Sequence, residues 1–161
     1  MQKEILLNGD KKLETVCSPV TFPLSDANKE TIQNLKDTTM MIDNAVGLAA
    51  PQIGDTVRIF VYNQTKEHKD ATMRVMINPE IIKTYGSTRV DYEGCLSFPG
   101  FIYEVPAYEL IKISYQDESG LKHTLKLRGF EARIFQHEYR HLDGINWPEG
   151  AIKHDRKEFE K

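Results

Sequence analysis

His137-Glu138-Tyr139-Arg140-His141 sets two imidazoles and a carboxylate at a spacing that could hold and use a metal ion. On a helix, residues four apart lie on one face, so both imidazoles can reach one cation. The intervening Glu138 can hold a water and take its proton. A chain of this composition contains the pattern by chance only about one time in a hundred. A hydrolytic centre also needs a third protein ligand and an open position for water. A downstream histidine would extend the pattern, but its place is taken by Trp147. A distant glutamate would be Glu149, Glu158 or Glu160, with little chain left to build a supporting helix. The third option is Cys95, in Glu93-Gly94-Cys95-Leu96-Ser97. A thiolate suits iron(II), zinc, cobalt or nickel. A free cysteine is more often a small buried hydrophobe. The missing third ligand turns the balance toward Cys95. Cys17, beside Ser18-Pro19, has no such company and is expected to be structural.

The loop Val46-Gly47-Leu48-Ala49-Ala50-Pro51-Gln52-Ile53-Gly54 is small, apolar and rich in turn formers. Gly47 and the alanines would let a substrate backbone lie close. Gln52 is the one polar side chain of the loop that could reach inward, and its amide could donate to a developing oxyanion.

These residues need a frame. Ser25 offers a helix N-cap, and Ile32, Leu35, Thr39 and Ile42 follow at spacings of three and four, which predicts an amphipathic helix over 26–44. Val57 to Tyr62 reads as a buried strand, and Val75 to Asn78 as a short strand stopped by Pro79. Residues 80–92 alternate loosely, as a strand or ribbon does. Leu110 to Tyr115 and Leu121 to Leu127 flank Asp117-Glu118-Ser119-Gly120, a hairpin signal. Phe130 to Leu142 reads as a second helix, ending near Gly144. Strands clustered between two helices predict an α+β domain, and 161 residues predict a single one over 1–161. The charged tail from Lys153 is expected to be a solvated helix end or a frayed terminus.

Composition narrows the class. The net charge is -3, which argues against a mainly electrostatic nucleic-acid or membrane partner. The apolar runs are too short to span a bilayer, and the first residues carry no apolar signal core. Two cysteines cannot build a disulfide scaffold, so a reducing, cytoplasmic setting is expected; a mature organellar protein would read the same.

Three motifs stand in one order: the loop from Ala45 to Gln52, Glu93-Gly94-Cys95-Leu96-Ser97, and Gln136-His137-Glu138 with His141. Together they resemble the peptide deformylases, and the likeness runs from Ile5-Leu6 through Asn78-Pro79-Glu80 to Gly144. The resemblance implies antiparallel strands around a C-terminal metal-binding helix, with an N-terminal packing helix. It implies hydrolysis of the N-formyl group of formyl-methionyl nascent peptides, releasing formate. Cys95, His137 and His141 are then the ligands of one divalent metal, most often iron(II), with zinc, nickel or cobalt as alternatives. Glu138 is the general base and acid. Gln52, the backbone N–H of Leu96 and the metal hold the oxyanion. Gly47 pairs with the substrate backbone, and Val46, Phe130, Ile134 and His137 line the methionine pocket. Glu93 and Arg133 support the ligands as an ion pair.

Four features depart from the family pattern. Ala45 stands where a glycine is usual, which requires a negative φ there. Arg140 stands where an acid is usual; it is not on the ligand face, so the metal site is expected to persist. Ala107 stands where an arginine often follows Val105-Pro106. The tail is short, so a helix for contact with the ribosome is expected to be reduced or absent. These departures keep two other readings open: an amidase with altered acyl or peptide preference, and a non-catalytic metal-stabilised binding module. The second has no use for Glu138 or Gln52.

Overall fold

The computed structural model describes residues 1–64 and 73–160. Helix α1 spans Asp26–Met41. Ser25 caps it by accepting from the Asn28 N–H at 3.1 Å. The helix ends three residues before the sequence reading placed it, because Ile42 is already extended and Asn44 turns the chain at φ 65. Asparagine tolerates that left-handed conformation. Ala45 itself lies outside the positive-φ region, as its methyl group requires.

Strands β1 (Gly47–Ala49), β2 (Ile59–Asn63), β3 (Met73–Glu93), β4 (Phe101–Gln116) and β5 (Lys122–Arg128) form one antiparallel sheet in that order. β1 is its edge strand. Between β1 and β2 the loop tightens into a short 3-10 turn, Ala50–Ile53. Helix α2 spans Gly129–Leu142, and a last strand, β6 (Ile152–Asp155), adds to β4. None of the described helices is long and apolar enough to cross a membrane.

β2 is buried at every position because a helix covers each face. Phe60 and Tyr62 pack with Phe135 and Leu142 of α2, whereas Ile59 and Val61 pack with Ile32 and Leu35 of α1. The continuous run Ile-Phe-Val-Tyr is thus the seam between two apolar layers.

Two expectations about strands are corrected. Pro79 does not stop a strand: Met73–Glu93 is continuous through it. The register shifts between Ile77 and Glu80, so the missing proline N–H falls where the ladder is already interrupted. Asn78, at φ 48, fills the bulge by bonding the Val20 backbone and the Gln116 side chain. The tail is neither a helix end nor frayed over 152–155. Its β6 residues pair with 101–104 of β4. Apparent solvating charges are engaged there: Lys153 lies over the Phe101 ring, and His154 bonds Glu104 at 2.8 Å.

One edge of β4 pairs with β6 at 101–104 and with β5 at 110–116. α2 fills the interval. The Gln136 side chain accepts from the Tyr108 N–H at 3.0 Å and donates to the Tyr108 carbonyl at 2.9 Å, as a neighbouring strand would. Arg133 donates to the Val105 carbonyl at 2.9 Å. These bonds fix the rotation of α2, and hence where its next turn points.

Candidate metal centre

His137, Glu138 and His141 lie on the turn of α2 that follows Gln136, and all three are buried. The Cys95 sulfur arrives from the segment between β3 and β4, 3.5 Å from Nε2 of His141. One ligand atom from each of Cys95, His137 and His141 lies within 4.8 Å of the others. That is the span of a thiolate and two imidazoles around one cation.

Glu93 orients the set. Its carboxylate lies 2.8 Å from Nδ1 of His137; accepting the ring proton there would free the Nε2 lone pair to hold a metal. Arg133 donates to the other carboxylate oxygen at 2.6 Å. Burial alone would raise the Glu93 carboxyl, but His137 and then Arg140 and Arg133 outweigh it and hold it below the usual range. The expected Glu93–Arg133 ion pair is present. Arg140 joins it, with Nη2 3.4 Å from Glu93. Helical spacing puts Arg140 off the face of His137 and His141 and leaves its role open; its long side chain reaches the carboxylate. An arginine next to a ligand on a largely buried helix was the available signal.

Burial, with His137 and Arg140 close by, holds His141 well below its ordinary pKa. Glu138 is pushed up to about 7 by burial, against the opposing pull of His137 and Arg140. Its Oε2 has no hydrogen-bond partner among the described residues. A buried carboxylate with an unpartnered oxygen, next to a thiol and two imidazoles, fits a site built to hold a cation and a water. Gly47 of β1 sits directly against it, since a Cβ there would come within 3.3 Å of the Glu138 carboxyl carbon.

Gln52 is buried and reaches inward as its position in the loop suggested. Its carbonyl oxygen accepts from the Ala49 N–H at 3.0 Å, which turns the amide nitrogen toward Ser97 Oγ at 3.1 Å and Cys95 Sγ at 3.6 Å. The N-terminal segment straps this corner together: Leu6 N–H bonds the Gln52 carbonyl, and Asn8 N–H bonds the Ser97 carbonyl, both at 2.8 Å. Ser97 and this strap escaped sequence reasoning. Leu96 packs on the α1 side of the core, and its N–H has no acceptor among the described residues. Ile134 is in the α2 core, with Val46 and Phe130 packed against it. Cys17 lies in the same core, and burial pushes its thiol up to about 11.

The family model of the polypeptide deformylases matches residues 2–157. The chain belongs to the polypeptide deformylase family. A peptide deformylase of Dictyoglomus thermophilum is 38% identical over the full length of both chains. Peptide deformylase 1 of Clostridium perfringens is 39% identical over 89% of this chain and 93% of its own. The fold matches the crystal structure of peptide deformylase from Thermotoga maritima with a TM-score of 0.82 at 37% identity, covering 90% of this chain and 94% of that one. Like its family, the chain is a metal-dependent hydrolase that removes the formyl group from nascent peptides. The expected fold is present in its main features, an antiparallel curled sheet with two helices.

Proposed function

We propose that residues 1–161 form one catalytic domain in which Cys95, His137 and His141 hold a single divalent cation, iron(II) by preference. The observation that carries this reading is the convergence of those three side chains on one another, with the buried Glu138 carboxylate beside them, its Oε1 3.8 Å from His137 Nε2. A cation bound there would acidify a water and polarise the formyl carbonyl.

Glu138 accepts the water proton at Oε2 and returns it to the leaving amine; burial keeps its pKa close to the working range for both transfers. The Gln52 amide and the free N–H of Leu96 flank Cys95 and donate to the oxyanion. The substrate backbone adds to the open edge of β1 at Gly47, where the absent side chain lets it approach Glu138. Val46, Phe130 and Ile134 receive the methionine side chain. A reducing cytoplasmic setting suits a working thiolate, while a relative from Arabidopsis thaliana is described as chloroplastic/mitochondrial. Contact with the ribosome would place the site near emerging peptides; β6 and the short turn after it offer no long C-terminal helix for it among the described residues.

The test compares formyl-Met-Ala-Ser with acetyl-Met-Ala-Ser on the iron(II)- or nickel-loaded protein. Cleavage confined to the formyl peptide is expected. Equal cleavage of the acetyl peptide would replace this reading with an amidase of broader acyl preference.

A further inference from the structure

The two arginines on Glu93 have different surroundings. Arg133 is a cross-link: besides Glu93 it donates to the Val105 carbonyl at 2.9 Å and to the Arg89 carbonyl at 2.8 Å. It would tie α2 to the sheet even without the carboxylate. The Arg140 side chain is only 14% exposed, its Nε has no partner, and Glu93 is the one group that side chain hydrogen-bonds among the described residues, with the Glu138 charge also near. Arg133 repels this second guanidinium, and burial disfavours its charge, so attraction to Glu93 and then Glu138 is what keeps Arg140 in place. The oxygen it approaches, Oε1, is the one that accepts the His137 Nδ1 proton at 2.8 Å.

We propose that Arg140 is a positioning residue, which with Arg133 clamps the Glu93 carboxylate so that Oε1 stays on His137 and His137 Nε2 stays aimed at Cys95 and His141. One guanidinium holds each carboxylate oxygen, so the carboxylate cannot swing away from the imidazole. The long 3.4 Å contact acts as a charge restraint rather than a strong hydrogen bond. The inference rests on the metal reading above.

Cobalt(II) tests it, because its visible bands report ligand geometry independently of turnover. Arg140→Met keeps the bulk of the side chain and removes the charge. It should shift the cobalt bands and speed cobalt loss to a chelator by about 10–100-fold, the usual effect of removing a partner behind a ligand. Arg140→Lys should fall between parent and Arg140→Met, and it carries the test should Arg140→Met not fold. Because Arg140 acts through Glu93, adding Arg140→Met to Glu93→Gln should change the loss rate little beyond Glu93→Gln alone. A lower melting temperature with unchanged bands and loss rate would overturn the proposal and leave a structural role. So would a raised KM with unchanged bands, which would mark a substrate contact. A parent that takes up no cobalt would instead sink the metal reading, and this inference with it.

Discussion

Cys95 and Cys17 have the same side chain and opposite surroundings. Cys95 faces two imidazoles and the Gln52 amide, whereas burial in the core raises Cys17 to about 11 and leaves it an inert thiol. Cys95→Ser should abolish stoichiometric metal binding, read by elemental analysis of the purified protein. Cys17→Ser should leave metal content and turnover unchanged. Gln52→Leu removes the proposed oxyanion donor and should lower kcat about 10²–10³-fold with metal retained. It also strands the Ala49 N–H and the Ser97 hydroxyl, so a loss of about 1–3 kcal/mol in urea unfolding should accompany it. Cys95, His137, His141 and Glu138 stand out in the sequence because their chemistry is carried by residue type and helical spacing, and the fold brings the three proposed ligands together. Arg140 does not, because helical spacing describes where a Cα points and not how far a guanidinium reaches. Ser97 and the strap of Leu6 and Asn8 do not, because they act through backbone bonds that leave no trace in composition.

At the scale of elements, helices and hairpin were legible from capping, periodicity and turn chemistry. What failed were the places where one element answers another. Pro79 lies in a continuous strand because Asn78 supplies the bulge. The interval in β4 is closed by the Gln136 amide, which no strand propensity announces. Gln136→Leu should therefore leave both polar groups of Tyr108 unpaired and destabilise the fold by about 2–4 kcal/mol, measured by denaturant unfolding. The tail reads as solvated charge, yet β6 is held by His154 between Glu104 and Glu158. The hydrogen bond to Glu104 raises the His154 pKa above its ordinary value, with Glu158 adding to it. A folded pKa raised above the unfolded value of about 6.5 stabilises most below that value, and the contribution is lost as pH rises through the folded pKa. Amide exchange over 152–155 should accordingly lose protection at higher pH beyond the intrinsic rate change, and His154→Ala should erase that extra dependence.

Among the described residues, two of the three apolar clusters meet at β2 and the third lies around Phe98 and Tyr103, with the proposed centre where α2 meets the β1 edge. Phe135 packs edge-on against Phe60 at 5.2 Å, two residues before His137. Phe135→Ala should cost about 3–5 kcal/mol of stability, seen as a lowered urea midpoint. Family membership and fold follow from motifs spread along the chain, because a site assembled from a loop, a strand end and a helix requires the sheet between them. Glu138 is proposed to do chemistry at a centre built by Cys95, His137 and His141. Metal content and formate release measured together, on the iron(II)-loaded parent and on Glu138→Ala with formyl-Met-Ala-Ser, test this role. The expected result is equal metal in both proteins, with formate release from the variant reduced about 10²–10⁴-fold. Metal-loaded parent protein that releases no formate, or a variant that releases it at the parent rate, would contradict the account.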